Sequence, residues 1–360
     1  MFELHAVQAA FGDCLLLKYG TNSSPRYILI DGGPPDVYAM HLSHVLQQIM
    51  NEQAPLDLVV LSHVDGDHAV GLLDYFTALR LPNHGLPVPT GFWHNSFSAT
   101  VDPNGLIAPR LSALMTPNVA SVMTTSGMAV QGISDGVGLR TQALALNLPL
   151  NDGFPGGLIT VDNSPGTMAF SNLQLTIVGP TQANLDALEQ KWIEWLDNHE
   201  NAILSGDPFV MANSDASVPN LSSIMFLAEA DGRTMLLTGD GRSDHLLDGL
   251  GQAGLLDANG EMHVDVLKLP HHGSNRNITK TFFRKVTADI YVASANGRDD
   301  NPDLATLIWL VEAAKQQQRQ VEIVVTNETL SVEKLLEEYP QNDFTYSLRT
   351  LAPSQHAVVV

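Results

Sequence analysis

Two histidines and two aspartates lie within six residues of one another, in the pattern His63-x-Asp65-x-Asp67-His68. Imidazole and carboxylate groups bind divalent transition metals, and a pair of such ions lowers the pKa of water enough to supply hydroxide near neutral pH. The pattern therefore predicts a metal site with hydrolytic chemistry. The alternative for the same residues is a solvated acidic loop with two surface histidines.

Two further groups of candidate ligands lie far downstream. Asp240 follows an apolar run that predicts a strand, and the pair His271 and His272 follows another, directly before Gly273 and Ser274. Each group is weak evidence alone, because a Gly-Asp pair is usually a turn and a histidine pair is usually on the surface. Together with the first cluster, they give three strand ends that each present metal-competent side chains.

The elements that must position these side chains follow a repeated order of strand and then helix. Leu56–Leu61 is an almost uninterrupted apolar run, typical of a strand buried on both faces. Residues 224–228 and 234–238 predict a hairpin, and residues 264–269 predict the strand before the histidine pair. Because residues 81–180 hold only six charged residues, we expect a long, loop-rich insertion there.

The composition limits the classes of function. The 360 residues include 18 Lys and Arg against 39 Asp and Glu, a formal net charge of −21, and 44% are apolar. This content predicts a large core, and the acidity disfavours a broad surface that grips phosphates. No apolar run of about 18 residues and no signal-peptide pattern appear, so we expect no membrane contact. Because Cys14 is the only cysteine, we expect no disulfide framework and a cytoplasmic protein.

The three clusters, together with Asp31-Gly32-Gly33, resemble the metallo-β-lactamase superfamily. They are most similar to the hydrolase domain of ComEC-type DNA-uptake proteins and its stand-alone relatives. The resemblance covers about residues 1–80 and 215–315. It implies an α/β fold of four αββα layers, with two mixed sheets packed together, helices outside and metal ions at one edge. It also implies a single domain over residues 1–360, with a large insertion at 81–214.

The resemblance implies one or two divalent ions, Zn or Mn. One ion would bind Asp67, His68, Asp240 and one of the paired histidines, and the other would bind His63, Asp65 and the shared Asp240. Of the pair, we prefer His271 as the ligand and leave His272 to contact substrate or donate a proton. Asp67 and His272 are thus the candidate catalytic residues, and the supporting or substrate-facing candidates are Asp31, Asn220 and Ser274.

Three positions depart from the superfamily pattern. Asp65 stands where a histidine is commonest, Asn220 stands where another histidine ligand is usual, and Asn301-Pro302 replaces a His-Pro pair of the relatives. Oxygen in place of nitrogen makes a site harder, which favours manganese relative to zinc, or a single ion.

We therefore expect a metal-dependent hydrolase. The resemblance implies phosphodiesters as its substrates, with nucleic acid as the first candidate among them. One alternative is a small-molecule hydrolase for a lactone, thioester, β-lactam or small phosphoester. The other is a non-enzymatic partner protein with a reduced metal site. The insertion at 81–214 is the candidate surface for a protein partner.

Overall fold

The computed structural model describes residues 1–100, 102–110, 125–204, 222–352 and 357–359. The strands of these ranges form a six-stranded and an eight-stranded sheet. Their bounds are β1 Phe2–Ala6, β2 Leu15–Thr21, β3 Ser24–Ile30, β4 Leu56–Leu61, β5 Phe92–His94, β6 Met168–Phe170, β7 Leu173–Gly179, β8 Met225–Ala230, β9 Arg233–Leu237, β10 Met262–Lys268, β11 Val286–Ala293, β12 Val321–Val325, β13 Tyr346–Thr350 and β14 Ala357–Val359.

Both sheets are mixed. The first has the order β14-β1-β2-β3-β4-β5, antiparallel as far as β3 and parallel from β3 to β5. The second has the order β13-β12-β11-β10-β9-β8-β7-β6, parallel from β13 to β9 and antiparallel from β9 to β6.

Helices cover the outer faces of the sheets. The helices of the described ranges are Ser43–Asn51, Gly66–Leu79, Phe97–Thr100, Thr125–Ala145, Gln182–Leu204, Ser243–Gln252, Phe282–Lys285, Leu304–Gln316, Leu330–Glu338 and Gln341–Phe344. None of these helices is long and apolar enough to cross a bilayer. Of these, Phe97–Thr100 and Gln182–Leu204 supply no described side chain to the two outer cores, between the sheets and the helices, and pack on each other through Phe97 and Trp192.

Three apolar cores separate four layers. The central core joins the two sheets, with Leu17 and Val60 from the first meeting Phe226 and Val292 from the second. A second core lies between the first sheet and its helices, and a third lies between the second sheet and its helices. The α/β fold of two mixed sheets between helices, which the resemblance implied, is therefore confirmed.

The alternation within β4 shows how one short run serves two cores. Leu58 and Val60 point into the central core, while Val59 and Leu61 point toward the helices. Successive side chains of a strand face opposite sides, so an uninterrupted apolar run is what a doubly covered strand requires. The prediction of a strand over Leu56–Leu61, buried on both faces, is confirmed.

Residues 81–214 contain more regular structure than expected. They supply β5 to one edge of the first sheet and β6 and β7 to one edge of the second. The expectation of a loop-rich insertion over residues 81–180 missed the edge strands β5 and β6, because few charges and many turn residues do not exclude such strands. The division into one domain with an insertion at 81–214 stays a prediction.

Candidate metal centre

Four side chains from three strand ends converge on one buried point. Asp67 and His68 follow β4, Asp240 follows β9, and His272 follows β10. One ligand atom of each lies within 4.8 Å of the others. His68 Nε2 is 3.3 Å from Asp240 Oδ1, and His272 Nε2 is 3.5 Å from both Asp67 Oδ2 and Asp240 Oδ2. Ligands at about 2.1 Å from a tetrahedral ion lie about 3.4 Å apart, so these separations suit a shared metal.

His63, Asp65 and His271 form a looser second group near the same aspartate, because their ligand atoms and that of Asp240 do not all lie within 4.8 Å of one another. His63 Nε2 is 3.6 Å from Asp65 Oδ2 and 3.8 Å from Asp240 Oδ2. His271 Nε2 is also 3.6 Å from Asp240 Oδ2. Asp240 is therefore the carboxylate that the two groups have in common.

Asp31 fixes the imidazole ring of His68. Its Oδ1 accepts a hydrogen bond from the backbone N–H of Ser62 at 2.7 Å, and its Oδ2 accepts one from the Ser62 hydroxyl at 2.7 Å. Its Oδ2 is also 2.8 Å from His68 Nδ1. Since a carboxylate only accepts, Nδ1 carries the proton and the lone pair of His68 lies on Nε2. The Ser62 hydroxyl, 3.1 Å from His63 Nδ1, orients that ring in the same way.

Carbonyl oxygens hold the two downstream rings in the same tautomer. His272 Nδ1 donates to the backbone oxygen of Ser294 at 2.8 Å, and His271 Nδ1 donates to the side-chain oxygen of Asn277 at 2.7 Å. The Nε2 atoms of both rings are thereby left as acceptors that face Asp240. His271 has 21% of its side chain exposed, whereas His272 has 3%.

The backbone at the histidine pair is strained. His271 and His272 have φ values of 46° and 56°, in the left-handed region. Each such non-glycine residue costs on the order of 1–3 kcal/mol, and this kind of strain clusters at functional sites. Gly239, with a φ of 46°, makes the matching turn directly before Asp240 and has no side chain to clash with the neighbouring Ser62.

Several ligand atoms at this point are buried without a hydrogen-bond partner. In the described part of the chain they are His63 Nε2, Asp65 Oδ1, His68 Nε2, Asp240 Oδ1 and His272 Nε2. Leaving one buried polar atom unpaired costs about 1–3 kcal/mol. Five such atoms around one point, all from metal-binding residue types, fit a bound cation.

The pKa values of the buried ligands also indicate a site that favours positive charge. Burial acts to lower the pKa of His68, but Asp240 and Asp67 outweigh it and raise that pKa well above its usual value. Burial is likewise outweighed at His272, where Asp240 and Asp13 raise the pKa. Burial acts to raise the pKa of Asp240, yet His272 and His68 hold it well below the usual range. A divalent cation supplies the positive charge that these carboxylates attract.

A buried ion pair that was not predicted from the sequence lies next to the centre. Lys268 Nζ is 2.5 Å from Asp13 Oδ2, and both side chains are almost fully buried. Asp13 Oδ1 is 3.4 Å from His272 Nδ1, and the backbone N–H of Asp13 donates to the backbone oxygen of Asp67 at 3.3 Å. The available signal was a lysine inside the apolar run 264–269, where a buried charge needs a partner.

Two further residues were predicted from the sequence to support the site or face the substrate, Ser274 and Asn220. Ser274 is buried beside the histidine pair, and its hydroxyl oxygen accepts from the backbone N–H of Arg276 at 3.4 Å. Asn220 lies outside the described residues. The individual metal and catalytic roles given to the site residues stay predictions.

Comparison with known proteins gives a family match for the first third of the chain. Residues 11–118 match the family model of the metallo-beta-lactamase superfamily. The matched segment includes Asp31 and the ligands at 63–68, and members of this superfamily are generally hydrolases. The match supports the superfamily half of the resemblance, while its ComEC-type half stays a prediction.

Two solved structures align over the whole length. The metallo-beta-lactamase fold protein YhfI from Bacillus subtilis is 9% identical, with a TM-score of 0.40 and 99% of each chain covered. The short form of human tRNase Z is 12% identical, with a TM-score of 0.38 and 99% of each chain covered. No curated protein matches the chain.

Proposed function

We propose that this protein is a metal-dependent phosphodiesterase whose centre holds two divalent cations. The observation that carries the proposal is the position of Asp240, whose carboxylate lies within 3.8 Å of the Nε2 atoms of four histidines. A carboxylate surrounded in this way is suited to bridge two ions. The resemblance to DNA-uptake hydrolases supports phosphodiesters as the substrate class.

The charges near the centre support two ions in place of one. Five carboxylates lie at the centre or contact its imidazoles, namely those of Asp13, Asp31, Asp65, Asp67 and Asp240. The buried ammonium group of Lys268 lies beside them. With the imidazoles neutral, as metal ligands are, five carboxylates and one ammonium leave four negative charges at a largely buried site. Two divalent cations neutralise them, whereas one leaves two negative charges uncompensated.

Each of the paired histidines serves one ion in this proposal. His272 completes the group of Asp67, His68 and Asp240, because its Nε2 faces two carboxylates and its side chain is 3% exposed. His271 supplies a nitrogen to the other group. This assignment replaces the preference for His271 alone as ligand and the proton-donor role for His272.

His271 also explains how the second group functions without the usual histidine at position 220. With His63, Asp65 and Asp240, it gives that group two nitrogen and two carboxylate ligands. The group then resembles the first in donor composition, since each has two imidazoles, one carboxylate of its own and a share of Asp240.

The residues of the centre prepare the reaction by fixing the ligands. Asp31, Ser294 and Asn277 hold the imidazoles in the tautomer that leaves Nε2 unprotonated. Divalent cations, when bound, lower the pKa of water and neutralise charge that develops on a phosphoryl oxygen. No serine or cysteine nucleophile is required, and Cys14 is buried in the second core with its pKa raised by burial.

The test is a substrate panel on protein reconstituted with manganese or zinc. The panel holds bis-p-nitrophenyl phosphate, single-stranded and duplex DNA, RNA, a lactone and nitrocefin. We expect hydrolysis of the phosphodiesters and its loss in Asp240→Asn, while Asp257→Asn, a change in an exposed turn, keeps the wild-type rate. Hydrolysis of only the lactone or nitrocefin would favour the small-molecule alternative. Reconstituted protein that holds less than about one ion per chain and hydrolyses no substrate would favour the non-enzymatic one.

A further inference from the structure

The Phe11 ring and the Arg298 guanidinium form a stacked pair on two loops that contact candidate metal ligands. Phe11 precedes Gly12, which packs against the metal-binding loop so closely that a Cβ atom there would lie 2.0 Å from the backbone oxygen of Asp67. The guanidinium carbon of Arg298 lies 3.9 Å from the centroid of the Phe11 ring. The pair is therefore positioned by the same backbone that contacts the metal ligands.

The loop that carries Arg298 is tied to the same ligands. It follows β11, whose end continues into Ser294. The Ser294 hydroxyl donates to the backbone oxygen of Gly12 at 2.6 Å, while its backbone oxygen accepts from His272 Nδ1. One residue thus joins the Phe11 loop, the Arg298 loop and a candidate metal ligand.

The guanidinium keeps most of its donors available. The Arg298 side chain is 44% exposed, and within the described residues its ion pair is a 3.6 Å contact from Nε to Asp299, which is itself 82% exposed. Asp299 and Asp300 have φ values of 55° and 64°, so the turn that presents Arg298 is held in the left-handed region.

We propose that Arg298, stacked on Phe11, binds a second phosphate of the substrate, next to the phosphodiester that is cleaved. This inference rests on the proposed function. A guanidinium offers several N–H donors in a fixed plane, which match the oxygens of a phosphate. Packing one face of that plane on an aromatic ring limits its rotamers before substrate arrives, which lowers the entropy cost of binding.

Dinucleotides with and without an additional phosphate test this role. TpT, pTpT and TpTp share one internal phosphodiester, and the last two carry a terminal phosphate at one end. The measured quantity is the ratio of kcat/KM for pTpT or TpTp to that for TpT. We expect Arg298→Ala to lower at least one ratio about tenfold or more, as for the loss of a charge-assisted hydrogen bond.

Two further variants separate the contribution of the charge from that of the aromatic support, and a third serves as a control. Arg298→Lys should lower the kcat/KM ratio less than Arg298→Ala does, because lysine retains the charge without the planar donors. Phe11→Leu should reduce the ratio by a smaller factor, since the guanidinium loses its support. Arg233→Ala is the matched control, because Arg233 is an exposed arginine that begins β9, at the opposite end from Asp240, and pairs with Asp265. It should keep the wild-type ratios.

Three outcomes would overturn the inference, and they differ from one another. Unchanged kcat/KM values for all three dinucleotides in Arg298→Ala would reject the second phosphate site alone. An equal loss on TpT and on both phosphorylated dinucleotides would show that Arg298 contacts a base or the scissile group instead. No hydrolysis of any dinucleotide or of bis-p-nitrophenyl phosphate by the reconstituted wild-type protein would reject the proposed function itself, together with this site.

Discussion

Asp31→Asn is expected to weaken metal binding without removing any metal ligand. Asp31 is 1% exposed, and its two oxygens accept hydrogen bonds from Ser62 and His68. Asparagine has nearly the same shape, but it places an NH₂ group where one carboxylate oxygen was. That group cannot accept a hydrogen bond, so either His68 Nδ1 or the Ser62 backbone N–H loses its acceptor, and a neutral amide also holds the His68 ring less strongly than a carboxylate does.

The expected magnitude follows from the number of bonds affected. Loss of a carboxylate that orients a ligand imidazole typically weakens metal affinity 10- to 100-fold. That range corresponds to about 1.4–2.8 kcal/mol of binding free energy. Because the Asp31 oxygens also hold the Ser62 hydroxyl that orients His63, we expect the upper half of the range for the first ion lost.

The assay is a competition titration of the metal against a chromophoric chelator, with the free energy of unfolding measured on the same preparations. Asp57→Asn is the matched control. Asp57 is also a buried carboxylate, but its oxygens bind Tyr19 and Arg26, and it lies near the other end of β4. Both substitutions should lower stability, and only Asp31→Asn should lower metal affinity.

Equal metal affinity in wild-type protein and folded Asp31→Asn would refute the reasoning. So would a loss of affinity in Asp57→Asn as large as that in Asp31→Asn, because the effect would then follow from general destabilisation.

Three further predictions concern stability and metal content. Lys268→Met leaves the carboxylate of Asp13 buried and without its ammonium partner, so urea denaturation should show a free energy of unfolding lower by about 3–5 kcal/mol. The double variant with Asp13→Asn should recover part of this loss. A loss below about 1 kcal/mol would contradict the buried pair. Burial lowers the pKa of His94 to about 3, whereas the unfolded chain binds that proton near pH 6.5, so its contribution to stability is complete above pH 6.5 and lost as the pH falls. Between pH 6.5 and 4.5, wild-type protein should lose about 2–3 kcal/mol more than His94→Gln, and parallel profiles would contradict this assignment. EDTA should abolish hydrolysis and manganese should restore it at least as well as zinc, because each proposed site holds two carboxylates; restoration by zinc alone would contradict the prediction of hard sites.

The parts of the fold that the sequence predicts are those with local periodicity. The buried run of β4 and the hairpin of β8 and β9 follow from apolar spacing and from the turn at Asp231-Gly232. β1 was missed, because Phe2–Ala6 alternates buried side chains with Glu3 and His5 and is short. β5 was missed for a different reason, since three residues between turns give no period, and pairing with β4 defines that strand.

In the site, too, residues that are neighbours in the sequence could be predicted, whereas contacts between distant segments could not. The cluster at 63–68 is visible in the sequence because its ligands are neighbours in the chain. The environments of His271 and His272 are not visible, because the bonds to Asn277 and Ser294 depend on how separate strand ends meet. The Arg298 stack on Phe11 likewise joins residues almost 300 positions apart.

The most direct test of the metal centre is anomalous diffraction from crystals of the full chain grown with manganese and with zinc. We predict two anomalous peaks, both within about 2.0–2.3 Å of a carboxylate oxygen of Asp240. One peak should also contact His68 and His272, and the other should contact His63 and His271. Crystals in which the metal binds elsewhere, with no peak within ligand distance of Asp240, would contradict the account.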